Sequence, residues 1–344
     1  MKAYVLNGIN DLQYEDIDIP NVGSDEVLVE VKAVGICGSD IPRIYKTGAH
    51  KHPLIPGHEF AGIVTKIGSN VDEVWIGKRV GIFPLIPCRQ CEPCMNENYE
   101  LCRNYNYLGS RTNGGFAEFC VVPVQNLIEL PDNVSYQEAA MLEPMAVAVH
   151  AIRRANIKAS DTIAICGLGT IGIFILMFLK EIGIENIYVI GNKKIQKETA
   201  VKLNVAENNY CDAKKYDIGK WFNGKNVNVV FECVGKNDTI NFAIDNVAPN
   251  GNVVFVGNPA SDISFEKAIY WKILRNQITV TGTWNSSFNG TENDDWHYVL
   301  DKLAKKTINP ENFITHIISL EEITKGLEIM RDKLEEYIKI MARM

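Results

Sequence analysis

Thr162-Ile163-Ala164-Ile165-Cys166-Gly167-Leu168-Gly169-Thr170-Ile171-Gly172 is an apolar strand that runs into G-x-G-x-x-G and then into the helical pattern Ile173 to Lys180. Glycines at those places permit a tight turn, close approach of the backbone to a pyrophosphate, and tight packing of helix on strand. A glycine loop alone is weak evidence. Here a strand precedes it, a helix follows it, and the β-rich run Asn186 to Ile190 arrives about 20 residues later, where ribose recognition belongs. Gly167, Gly169, Thr170, Ile171 and Gly172 are therefore the expected dinucleotide loop.

Working downstream, strand Val227 to Glu232, an amphipathic helix around Thr239 to Val247, and strands Asn252 to Val256 and Gln277 to Thr281 continue the alternation. Strands buried on both faces of a parallel sheet read as continuous apolar runs, and these do. Past Thr283 come a helix marked by Trp296, Val299, Leu300 and Leu303, strand Thr315 to Ile318, and helix Leu320 to Lys333. Upstream the pattern changes to short β-type runs, Val27 to Val34, Gly62 to Ile67, Arg79 to Phe83 and Phe116 to Val122, separated by Gly, Pro and Asn turns. That pattern predicts an all-β, barrel-like domain. The expected fold class is α/β, a β-rich domain joined to a doubly wound parallel sheet.

Cys88, Cys91, Cys94 and Cys102 form C-x2-C-x2-C-x7-C. Turn formers Pro87, Pro93 and Asn96 to Asn98 connect them, so a loop can fold the thiolates around one tetrahedral ion, a closed structural zinc site. Met1-Lys2-Ala3-Tyr4-Val5 reads as a first strand without the regions of an export signal, which makes disulfides unlikely partners for these thiols and the cytoplasm the expected compartment. The longest apolar run, Ile171 to Leu179, falls well short of the about 20 residues that cross a bilayer. With 344 residues, 46% hydrophobic content and net charge -7, the chain has room for about two domains and no basic face for nucleic acid.

A second polar cluster joins Gly35-Ile36-Cys37-Gly38-Ser39-Asp40 to Pro56-Gly57-His58-Glu59-Phe60-Ala61-Gly62. Cysteine, histidine and carboxylate together suit a three-ligand zinc with a position open to a substrate oxygen, although each of these residues is also common as structural packing.

Gly57-His58-Glu59, the four-cysteine lobe, Gly114-Gly115-Phe116-Ala117-Glu118, Glu143-Pro144 and the Gly167 loop, in that order, resemble the zinc-containing medium-chain dehydrogenase/reductase family along the whole chain. The resemblance implies a GroES-like catalytic domain from residues 1–148 and 284–344, carrying the zinc lobe at 84–104, with a Rossmann domain at 149–283 and the active site in the cleft between them. It implies Cys37, His58 and Glu143 as catalytic zinc ligands, with Glu59 a carboxylate behind the metal or an exchangeable ligand, and so two zinc ions per chain. Ser39 would pass the hydroxyl proton outward. Many relatives carry a histidine three residues later, whereas Pro42 stands here, so the outer relay would run through water, the cofactor ribose or Glu59.

The implied chemistry is hydride transfer between an alcohol and a nicotinamide, with zinc lowering the pKa of the substrate hydroxyl. The motifs are most similar to those of polyol and polyol-phosphate oxidising members, with galactitol 1-phosphate as the model substrate; secondary-alcohol, butanediol and threonine-type dehydrogenation is the alternative. NAD-using relatives end the second Rossmann strand in an acid, but Ile190 is followed by Gly191-Asn192-Lys193-Lys194. That loss favours NADP(H) over NAD(H), with Lys193 at the 2'-phosphate. Arg43, Lys46, Arg111 and Trp284 are the expected substrate contacts, the cations converging on a phosphate unless they are solvated or paired with Asp40 or Glu97. An apolar edge at Gln277 to Thr281 predicts a homodimer or homotetramer.

Overall fold

A computed structural model describes residues 1–344. The chain divides into two compact units, Met1–Glu143 with Ser287–Met344, and Pro144–Ser286. Residues 144–148 and 284–286, expected in the first domain, fall in the second unit. The first junction lies inside the helix Leu142–Arg154, so no break in composition marks it.

The first unit is built on a seven-stranded sheet in the order Ile314–Ile318, Lys339–Arg343, Glu26–Ile36, Glu59–Ile67, Arg79–Ile82, Leu127–Glu129, with Phe119–Pro123 also pairing Glu26–Ile36. Val27, Val29, Val31, Val34, Phe60, Val64, Val80 and Ile340 join one core under it. Register sets the site. Gly35 lies opposite Glu59 in one antiparallel pair and Ile36 opposite Ile340 in the next, so the ends of three strands deliver Cys37, His58 with Glu59, and Lys339 to one place. Glycines make the approach to His58 possible: Gly57 has φ 90°, and a Cβ there would lie 2.4 Å from the Phe116 ring. A Cβ on Gly114 would lie 2.0 Å from the Gly57 carbonyl oxygen, so the Gly-Gly-Phe segment clamps the turn that presents the histidine. This clamp shortens the expected strand at 116–122, which begins only at Phe119.

The second unit holds a six-stranded, all-parallel sheet in the order Tyr210–Asp212, Ile187–Gly191, Ile163–Cys166, Val227–Glu232, Val247–Phe255, Thr279–Gly282. The chain order reverses between Ile163–Cys166 and Val227–Glu232, the switch point at which doubly wound sheets bind nucleotides. The helix Thr170–Glu181 starts directly from the glycine loop, and Ile173 to Leu179 are buried on it. Strands Tyr210–Asp212 and Lys339–Arg343 and helices Lys194–Lys202 and Lys267–Arg275 go beyond the elements expected from periodicity. The strand at 210 is only three residues long, too short to show alternation, and the helix Lys267–Arg275 buries no residue. No helix is long and apolar enough to cross a membrane.

Candidate metal centres and cofactor loop

Two groups of metal-ligating side chains are assembled. In the first, Cys88, Cys91, Cys94 and Cys102 present sulfur atoms within 4.8 Å of one another, and none of them is in a disulfide. Separations of 3.5 Å for Cys91–Cys94, 3.9 Å for Cys91–Cys102 and 4.0 Å for Cys88–Cys94 bracket the about 3.8 Å edge of a tetrahedron with Zn–S near 2.3 Å. Left-handed turns at Arg89 (φ 55°) and Glu97 (φ 60°) bend the loop, and the short helix Glu92–Met95 with Pro93 in its first turn lifts Cys94 inward. Backbone N–H groups of Gln90 and Cys91 draw the Cys88 thiol down to about 6, whereas burial and the neighbouring Cys102 and Cys91 push Cys94 up to about 12. Such mutually opposed thiols fit a dication.

The second group is Cys37, His58 and Glu59, again with ligand atoms within 4.8 Å. His58 and Glu59 are buried at 4% and 2% exposure, and the His58 Nδ1 has no hydrogen-bond partner, with Asp40 Oδ1 3.6 Å away. Burial opposes charge on this ring, but Cys37 and Asp40 outweigh it and hold the His58 pKa well above its ordinary value. A soft thiol, a borderline imidazole and a carboxylate gathered within 4.8 Å are a donor set that fits a zinc ion. Asp40 has no exposed surface; burial raises its pKa, and the His58 and Arg43 cations bring it below the usual carboxylate range.

The resemblance implied Glu143 as a ligand and Glu59 as the carboxylate behind the metal or an exchangeable one. Glu59 is the carboxylate in the close trio, while Glu143 stands beside it and accepts a 3.0 Å hydrogen bond from the Tyr107 hydroxyl at Oε1. Burial lifts Glu143 to about 7 against the pull of His58, with Glu59 adding to the rise. Glu59 also meets the Lys339 ammonium, 280 residues away and 1% exposed. Ser39 Oγ donates to Cys37 Sγ at 3.4 Å. Asp40, Tyr107 and Lys339 were not among the expected site residues. Asp40 sat in the quoted motif, but nothing local to Tyr107 or Lys339 marks them.

The expected convergence of cations is not present. Arg43 Nη1 lies 2.6 Å from buried Asp40, because a carboxylate without exposed surface needs a counter-charge. Arg111 stacks on Tyr105 at 4.2 Å and donates to the Tyr105 carbonyl. Lys46 is exposed on the turn Arg43–Thr47, and Trp284, 52% exposed, belongs to the second unit.

At the glycine loop, Gly167 has φ 96°, a Cβ on Gly172 would lie 2.0 Å from the Gly167 oxygen, and one on Gly169 would meet nothing within 4 Å. Those are the three roles a pyrophosphate loop requires, with Gly169 leaving room at the start of the helix containing Thr170 and Ile171. At the ribose end, Gln196 Oε1 accepts from the backbone of Asn192 (2.9 Å) and Lys193 (3.1 Å), and the Tyr210 hydroxyl donates to the Lys193 carbonyl (3.2 Å). A Cβ on Gly191 would lie 2.6 Å from that hydroxyl and 2.9 Å from the Gln196 oxygen, so any side chain at the end of this strand would have to displace the ends of Tyr210 and Gln196.

Residues 23–132 match the alcohol dehydrogenase GroES-like domain and residues 170–305 the zinc-binding dehydrogenase domain. Galactitol 1-phosphate 5-dehydrogenase of Escherichia coli is 29% identical over 95% of both chains, and the crystal structure of galactitol-1-phosphate dehydrogenase from that organism superposes with a TM-score of 0.92 at 28% identity over 100% of both. D-arabitol-phosphate dehydrogenase of Enterococcus avium is 31% identical over 97% of this chain and 94% of its own. A zinc-binding dehydrogenase from Sinorhizobium meliloti, bound to NADP, matches with a TM-score of 0.90 and 27% identity over 100% of this chain and 99% of that one. With both domain matches in chain order, a donor set suited to zinc and a dinucleotide loop with its three glycine roles filled, the chain belongs to the zinc-containing medium-chain dehydrogenase/reductase family and is an NAD(P)-dependent alcohol dehydrogenase.

Proposed function

We propose that the protein oxidises a secondary hydroxyl of a polyol or polyol phosphate, using NADP+ and two zinc ions per chain. The Cys37–His58–Glu59 trio carries this reading, since two charged ligands and one imidazole leave a coordination position for a substrate oxygen. Zinc, when bound, supplies Lewis acidity that lowers the hydroxyl pKa, and the nicotinamide supplies the hydride acceptor. The chain's own residues do the rest. Asp40 faces the His58 ring and orients it, as outer carboxylates do for metal-bound histidines. Tyr107 holds Glu143 next to the trio, where that carboxylate would exchange with Glu59 as a ligand and leave one position for the substrate oxygen. Ser39 is the first station of the proton path, because its hydroxyl already sits on the Cys37 sulfur.

The NADP(H) preference rests on the closed Gly191 corner and on Lys193 beside it. Without a carboxylate at this corner there is no repulsion of a 2'-phosphate; structural relatives are bound to NADP and to NADH alike, so the preference rests on these residues. The substrate class rests on the polyol and polyol-phosphate relatives, with galactitol 1-phosphate as the first candidate. Arg43 gives one nitrogen to Asp40, and its planar fork has further donors for a phosphate. A homodimer is supported by the edge strand Thr279–Gly282, where Val280 is 41% exposed, and by Trp271 and Leu274 exposed on the helix Lys267–Arg275.

One panel tests the reading: kcat/KM for galactitol 1-phosphate, galactitol, sorbitol and butane-2,3-diol, each with NADP+ and NAD+, alongside zinc analysis and light scattering. The expected best pair is a polyol or its phosphate with NADP+. Faster turnover of butane-2,3-diol would move the assignment to the secondary-alcohol branch, and equal use of NAD+ would remove the cofactor preference.

A further inference from the structure

Asp40 stands between two partners and bonds only one of them. Its Oδ2 accepts from the Cys37 backbone N–H at 3.0 Å, and its Oδ1 lies 2.6 Å from Arg43 Nη1 but 3.6 Å from His58 Nδ1, which has no hydrogen-bond partner. Asp40 has no exposed surface and the Arg43 side chain only 16%, so solvent screens this contact little. The guanidinium is also fixed from its own backbone. Arg43 opens the single π-helical turn Arg43–Thr47, in which Ile44 is fully buried and accepts from the Asn10 N–H at 2.8 Å, while Tyr45 lies 4.6 Å from the Arg331 guanidinium. Such turns are rare and frequent at functional sites.

We propose that Arg43 is a positioning residue that holds Asp40 Oδ1 away from the His58 ring and so limits how strongly this histidine donates to the metal. The argument is one of competing hydrogen bonds. A carboxylate bonded to the outer nitrogen of a metal-binding imidazole raises its donor strength, whereas a charge-assisted bond to a guanidinium draws the same oxygen's charge elsewhere. A weaker nitrogen donor leaves the metal a stronger Lewis acid toward the substrate hydroxyl. Arg43 thereby acts through Asp40 and His58, apart from any contact it makes with a phosphate. This inference rests on the proposed zinc at Cys37, His58 and Glu59.

The test is chelator competition for the catalytic zinc of the full-length enzyme, with visible spectra of the cobalt-substituted form as a second readout of its ligands. In Arg43→Gln the zinc is expected to be held about tenfold more tightly, since Asp40 then turns to His58. The cobalt bands should shift, and kcat for galactitol, which carries no phosphate, should fall while KM changes little. Arg43→Lys keeps a charge for Asp40 but not the guanidinium fork, and its zinc retention should lie between wild type and Arg43→Gln. In an Asp40→Asn background, where the charge in contention is gone, Arg43→Gln should no longer alter zinc affinity. Unchanged or weaker retention in Arg43→Gln, or the same effect in the Asp40→Asn background, would overturn the inference. Should Arg43→Gln stay unfolded, Arg43→Lys decides alone: tighter zinc supports the inference, and unchanged or weaker zinc overturns it. A wild-type protein that takes up only the cysteine-lobe zinc would instead remove the metal centre itself.

Discussion

The two metal-ligand clusters of this chain differ in how they are made. Cys88, Cys91, Cys94 and Cys102 come from one loop of fifteen residues, counted from 88 through 102, with half of the ligands partly exposed. Cys37, His58 and Glu59 come from the ends of two paired strands, with Lys339 added by a third, and His58, Glu59 and Lys339 are almost wholly buried. A local cluster depends on its metal to hold the loop together, because a loop has little core of its own. A cluster assembled by strand register is held by the sheet, and its metal is available for chemistry.

The comparison breaks most sharply on Cys37→Ser. With the metal's contribution of several kcal/mol removed, kcat/KM should fall by about three orders of magnitude or more while the thermal midpoint stays within a few degrees of wild type. Steady-state kinetics beside calorimetry checks it, and a protein that unfolds instead would erase the distinction between the clusters. Cys88→Ser should do the reverse. It should lose one zinc per chain and roughly 10 °C of Tm, with activity per folded molecule largely kept at low temperature.

Arg43→Ala sharpens the view that the catalytic cluster is a balanced set of buried charges. Asp40, with no exposed surface, would lose the guanidinium 2.6 Å away, for a cost of about 3 kcal/mol in denaturant unfolding. A change below about 0.5 kcal/mol would show that Asp40 is satisfied by His58 alone. This cost is also why Arg43→Ala is a poor probe of substrate phosphate. Exposed Lys46 is the cleaner one, and Lys46→Ala should reduce kcat/KM for galactitol 1-phosphate by only a few fold and leave galactitol unchanged, since solvated charge pairs are weak.

Between these extremes lies the cofactor corner, a local turn closed by Gln196 of the following helix and by Tyr210 of the neighbouring strand. Lys193→Ala should weaken NADP(H) by roughly tenfold against little change for NAD(H), the value of one charge-assisted contact. Gly191→Asp should weaken both cofactors, because its Cβ would enter the space of the Tyr210 hydroxyl and Gln196 oxygen. Improved NAD(H) binding in Gly191→Asp would show that the corner can open.

The sequence by itself determined what chemistry reads locally. The cysteine spacing, the glycine loop between its strand and helix, and the Gly-His-Glu turn are short-range patterns whose geometry follows from a few adjacent dihedrals. Only the tertiary structure brought Glu59 within 4.8 Å of Cys37, the Tyr107 hydroxyl to Glu143 and Lys339 to Glu59. Packing of elements far apart in the chain sets these contacts, and a buried charge takes whichever partner that packing brings near, whereas Arg43 with Asp40 and Arg111 with Tyr105 are neighbours in sequence. Lys339 shows the limit most clearly: it is an unremarked lysine in the last strand, and packing brings it to Glu59, 280 residues away, as the counter-charge of that buried carboxylate.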